Sequence, residues 1–141
     1  MSVEENKNVI RRMFQAQLAN DMVAYREILD DSLVWEIMQF GEVGRPRGKE
    51  EMIAMLQLVH KNLGGGKWEK NIVGMTGEGD RLSVEATATM ELSNGNLFKQ
   101  RYHYMYVFRN GRVAEAREYI DTLASAIAFK GLQNVTDGPP K

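Results

Sequence analysis

Val9, Ile10, Met13, Phe14 and Leu18 recur at helical spacing, with Arg11, Arg12 and Gln15 between them. This predicts an amphipathic helix over about 3–19. Asn20-Asp21 breaks it, and Asp21 can cap a short second helix carrying Met22, Tyr25, Ile28 and Leu29. Asp30-Asp31-Ser32 ends that helix, and 33–38 reads as a short strand. A loop rich in Gly and Pro follows over 40–48. Met52, Met55, Leu56, Val59 and Leu63 form the stripe of a third helix over 49–63, which Gly64-Gly65-Gly66 stops. From there the period falls from that of a helix to two. Strands are predicted over 67–76, 81–92, 97–109 and 112–121, with Asn-Gly at two successive joints, a hairpin signature. A short closing helix is predicted over 122–130, and Gly138-Pro139-Pro140-Lys141 suggests a disordered tail over 133–141.

Helices followed by a meander predict an α+β domain over 1–132, with the helices laid on one face of a curved sheet. The strand parities suggest that both sheet faces need cover. In 81–92 one parity is Leu82, Val84, Ala86, Ala88, Met90 and Leu92. In 97–109 one parity is Phe98, Gln100, Tyr102, Tyr104, Tyr106 and Phe108, an aromatic wall. One face can bury under the helices. The other, with His103, Met105 and Val107, can bury against a second copy, making a homodimer.

Composition narrows the function. The net charge of -1 has no long run of one sign behind it, which argues against nucleic acid or an anionic membrane as main partner. The absence of Cys excludes disulfides, thiolate catalysis and Cys-ligated metals. The N-terminus lacks the apolar core of a signal peptide and no run reaches membrane-spanning length, so a cytoplasmic protein is expected. His60 is expected at the surface and His103 away from the aromatic wall, and no spacing suggests a metal site or a Ser-His-acid arrangement. No cofactor is expected.

The segments LANDMVAYREILDDSLVWE and YVFRNGRVAEAREYIDT carry a resemblance that extends over most of the chain. The element order resembles the nuclear-transport-factor-2-like superfamily, the cystatin-like α+β cone. Within it the chain is similar to the SnoaL-like, ketosteroid-isomerase-related group. The resemblance implies a curved antiparallel sheet with three N-terminal helices packed on its concave face, enclosing an apolar pocket. Ketosteroid isomerases place a carboxylate base on the first strand, which falls at Glu36, and an oxyanion donor on the penultimate strand, which falls at Tyr104. Their second donor, a tyrosine on the first helix, is replaced by Met13. Limonene-epoxide-hydrolase-like members use an Arg-x-Asp pair on the central strand, which falls at Glu85 and Thr87, so both residues are absent. Their last-strand acid falls at Glu118, and SnoaL-like cyclases need one such acid/base.

The residues and the resemblance together give Glu118, Glu36 and Tyr104 as candidate catalytic groups. Glu118 shares parity with Ala116 and Ile120; its alternative is an ion pair with Arg101 or Arg117 on a wet face. Glu36 lies between Trp35 and Ile37, so an inward Trp35 would leave Glu36 solvated and inert. The expected pocket lining is Met13, Trp35, Met52, Met55, Leu56, Tyr102, Tyr106, Phe108, Ala116 and Ile120, with Glu85 and Thr87 as a polar floor. A Glu in such a pocket has its pKa raised by desolvation, as a base working near neutral pH requires. The expected activity is acid/base isomerisation, cyclisation or dehydration of a polyketide-, steroid- or terpenoid-like molecule. The alternatives are a non-catalytic dimer that binds a hydrophobic ligand, and a structural dimerisation domain.

Overall fold

The computed structural model describes residues 1–132, and the predicted tail over 133–141 lies outside them. Helix α1 (Val3–Ala19) begins where the Ser2 hydroxyl accepts from Glu5 N, and ends at Asn20 in the left-handed conformation. Helix α2 (Met22–Ile28) is capped by the Asp21 carboxylate, as the sequence suggests. Strand β1 (Leu29–Ile37) then leads through a 3-10 turn at Glu42–Gly44 into helix α3 (Lys49–Leu63). Strands β2 (Trp68–Glu78), β3 (Arg81–Glu91), β4 (Leu97–Arg109) and β5 (Arg112–Tyr119) form the meander, and helix α4 (Thr122–Ala128) closes it. Among the described residues no helix is long and apolar enough to cross a membrane.

The five strands form one sheet in the order β1-β5-β4-β3-β2. The meander is antiparallel as expected, and β1 joins its edge in parallel with β5. A parallel pair needs a long crossover, and here everything between β1 and β5 supplies it. Strand β1 also starts four residues earlier than its apolar pattern suggests. Asp30 and Ser32 break the alternation by bonding to each other, and the ladder is irregular between Leu29 and Val34.

The Asn110-Gly111 joint has both residues at positive φ, 51° and 76°, as a tight type I′ hairpin turn requires. In the other Asn-Gly joint, Asn94 Nδ2 and Asn96 Nδ2 each donate to Ala128 O at 3.0 Å, tying the β3–β4 hairpin to the end of α4.

Helices α1, α2 and α3 cover one sheet face. Val9, Ile10, Met13 and Phe14 of α1 pack with Tyr25, Ile28, Met52 and Leu56 against Leu82, Val84, Ala86, Tyr104, Tyr106 and Phe108. A smaller cluster of Leu63, Met90, Leu92, Phe98, Ala128 and Phe129 closes the far end of the cone. Trp35 meets Tyr104 and Tyr106 edge-on, while Tyr102, Tyr104 and Tyr106 stack in a row down β4.

The hydroxyl of Tyr106 is buried here without a hydrogen-bond partner. Leaving such a group unsatisfied costs about 1–3 kcal/mol. Tyr106→Phe is therefore expected to raise the unfolding free energy by about 1 kcal/mol, read from urea denaturation. A loss of stability of that size would mean that the hydroxyl has a partner in solution.

Candidate functional site

Glu118 is drawn into the cone by its register. It stands opposite Tyr104 on β4 and beside Ile37 on β1, so all three side chains share the inner face. Its Oε1 accepts the indole N–H of Trp35 at 3.0 Å. Burial pushes its pKa up, opposed in part by the charge of Lys70, the Trp35 bond and the charge of Arg47. Tyr102 and Tyr104 are raised by the same burial and by the charge of Glu118. Tyr25 is raised by burial against the pull of its bond to Gln17. These phenols therefore keep their protons at any physiological pH and can serve as hydrogen-bond donors.

Two adjoining cavities of about 90 Å³ each meet at this carboxylate. The inner one is walled by Gln17, Tyr25, Trp35, Lys70 and Tyr104, with Met52 and Leu56 above. The outer one is apolar and runs past Ile37, Leu58 and Phe98 to Ile120 and Phe129. Met55, Val59, Met90, Tyr102 and Glu118 belong to both. Among the described residues Glu118 is the one carboxylate that lines the cavities, and it borders both.

Lys70 is the residue that sequence reasoning missed. It shares the parity of Trp68 and Ile72 along β2 and stands opposite Ala88, whose small side chain leaves room above it. Its Nζ donates to Gln17 Oε1 at 3.0 Å and lies 4.0 Å from the Phe14 ring centre, 5.0 Å from that of Tyr104 and 5.3 Å from that of Tyr102. Burial pushes its pKa down to about 8, against the pull of Glu118. The signal was the parity itself, Trp68-x-Lys70-x-Ile72. Glu69 and Asn71 on either side disguise it as a solvated stretch.

The structure brings Trp35, Met52, Met55, Leu56, Tyr102, Tyr104, Glu118 and Ile120 to the cavities. It does not bring Glu36 there. Trp35 points inward, so Glu36, beside Arg117, belongs to the opposite face. Glu85 and Thr87 also lie on the outer face, along a groove shared with Arg101, His103 and Tyr119, because Val84 and Ala86 take the inner positions. Met13, Tyr106, Phe108 and Ala116 are sealed in the core rather than exposed to the cavities. His60, expected at the surface, is half-buried. Its Nε2 lies 2.7 Å from Gln17 O and its ring meets Trp68 edge-on. Among the described residues, no three His, Asp or Glu side chains converge as metal ligands would.

The SnoaL-like domain family matches residues 10–116. No curated protein matches the chain in sequence. Among solved structures, a nuclear-transport-factor-2-like protein from Burkholderia xenovorans LB400 is 25% identical, with a TM-score of 0.73 over 91% of this chain and 98% of its own. A candidate isomerase from Bacillus subtilis is 22% identical, with a TM-score of 0.80 over 94% of this chain and 100% of its own. A candidate polyketide cyclase from Streptomyces antibioticus is 17% identical, with a TM-score of 0.73 over 89% and 98%.

Proposed function

The chain belongs to the SnoaL-like domain family, and on that premise we propose that it is a cofactor-free acid/base enzyme acting on a small hydrophobic carbonyl compound. The observation that carries this reading is Glu118, a half-buried carboxyl of raised pKa that lines both parts of a two-part cavity. Glu118 takes a proton from the carbon next to a carbonyl and returns it elsewhere on the molecule. Tyr104 and Tyr25, protonated and facing the inner cavity, donate to the oxygen on which negative charge develops. The apolar outer cavity takes the part of a polyketide-, steroid- or terpenoid-like substrate next to the reacting carbon, and its open side lets the rest extend outward. Isomerisation, cyclisation and dehydration all begin from this proton transfer. The candidate isomerase and candidate cyclase among the structural neighbours fit such chemistry on this fold.

The test is incubation with unsaturated cyclic ketones and 1,3-dicarbonyl compounds in D₂O, followed by NMR. Deuterium uptake next to the carbonyl, above the uncatalysed rate, is the expected result. Ligand-induced shifts with no exchange for any compound would favour the alternative, a binding protein that uses the same cavity.

We also propose that the outer sheet face pairs two copies of the chain. It exposes Val34, Val73 and Tyr119 around His103, Met105 and Val107. Light scattering at high micromolar concentration is expected to give twice the 16.0 kDa chain mass, and a monomer there would remove the claim.

A further inference from the structure

Acid/base chemistry at Glu118 leaves Lys70 unexplained. An ammonium has three protons to donate, and Lys70 finds one hydrogen-bond acceptor, Gln17 Oε1. The rest of its surroundings are the rings of Phe14, Tyr102 and Tyr104. Among the described residues it forms no ion pair. Glu118 lines the same cavity but stands apart from it, which leaves space between an amine and a carboxyl. A surface lysine would sit in water with its charge fully solvated. This one loses that solvation with only partial replacement, and burial is a recognised way to turn a lysine into a nucleophile.

We propose that Lys70 is an amine nucleophile, whose Nζ adds to the carbonyl carbon of a small apolar aldehyde or ketone in the inner cavity and holds it as an imine. The lone pair of the neutral amine forms the N–C bond, and the carbonyl oxygen takes up the proton that nitrogen loses. Glu118, in its carboxylic acid form, then protonates the resulting hydroxyl. That hydroxyl leaves as water while the nitrogen lone pair closes the C=N bond. The products are a protonated imine, one water and the Glu118 carboxylate, and no oxidant or reductant is needed. The carboxylate is then placed to remove a proton from the carbon next to the imine. The inference uses the same cavity as the proton-transfer reading but does not depend on it.

The titratable groups around the amine are Tyr25 from α2, His60 from α3, Tyr102 and Tyr104 from β4, and Glu118 from β5. With its pKa near 8, about a quarter of Lys70 is neutral at pH 7.5, against roughly one in a thousand for an ordinary lysine. A less basic amine is also a weaker nucleophile, so the expected advantage in rate is smaller than that ratio, at least about tenfold.

The test is incubation of the full chain with benzaldehyde and cyanoborohydride, which reduces an imine to a stable amine, followed by intact mass and peptide mapping. The expected result is a first adduct on Lys70, formed about tenfold or more faster than on exposed Lys61 and Lys99. Its rate should rise toward pH 8 as the amine loses its proton, until Glu118 in turn gives up the proton that the step needs. Lys70→Met should remove the fast adduct and leave the slow ones, and Glu118→Gln should slow it while leaving its position unchanged. Labelling spread over the exposed lysines with Lys70 untouched would overturn the proposal, whatever the deuterium exchange shows. An adduct at Lys70 without exchange would support it and count against the proton-transfer reading instead.

Discussion

Glu118→Gln is expected to lower turnover by on the order of 10²–10⁴-fold, the usual cost of losing a positioned acid or base. Gln is nearly isosteric and its amide oxygen can still accept the Trp35 N–H, so fold and ligand affinity should persist. It cannot exchange a proton at neutral pH. The measurement is the rate of deuterium uptake or product formation for wild type and variant at saturating substrate. Turnover that survives the substitution would remove Glu118 from the role assigned to it. A binding protein would instead show altered affinity and no rate to lose.

The same substitution carries a stability signature of known sign. The fold raises the pKa of Glu118, mainly through burial. Between its unfolded and folded values the native state binds the extra proton. The stability of the wild type therefore falls as pH rises through that window. Below the unfolded carboxylate range both states are protonated and the penalty vanishes. The variant should thus be more stable than the wild type at pH 7, and the gain should disappear in acid. An active site that costs stability in this way is the pattern expected of a catalytic carboxyl.

Trp35→Ala is expected to cost about 3–5 kcal/mol of unfolding free energy, the range for deleting a large buried aromatic side chain. Trp35 is 2% exposed and fills the space between Tyr104, Tyr106 and Glu118. Its loss opens a void and also leaves the half-buried carboxyl without its donor. Trp35→Phe separates the two contributions. It keeps an aromatic ring in the site at a smaller packing cost, removes the N–H, and should push the pKa of Glu118 further up. Chemical denaturation reads the first effect, and the pH dependence of turnover reads the second. A cost below about 1 kcal/mol for Trp35→Ala would contradict the packing described above.

Much of this molecule is legible in its sequence. The stripes of α1 and α3, the Asp21 cap and the Asn-Gly joints are local signals, each set by a few adjacent residues. The aromatic parity of β4 and the acid on β5 likewise follow from a period of two, and the resemblance supplies the cone that brings them together. The tertiary structure decided what depends on pairing across the chain. Glu36 and Trp35 are neighbours on one short strand, and only the parallel register with Ala116 and Glu118 shows which of them faces the cavity. Lys70 reads as a polar residue among polar neighbours until β3 places Ala88 opposite it and α1 lays Phe14 over its amine. Tyr106 and Phe108 share the parity of Tyr104 yet lie in sealed core, because the helices pack directly over their end of β4, while Tyr102 and Tyr104 border the cavities. Period gives the face of a strand, but position along a curved sheet decides whether that face meets a helix or a cavity.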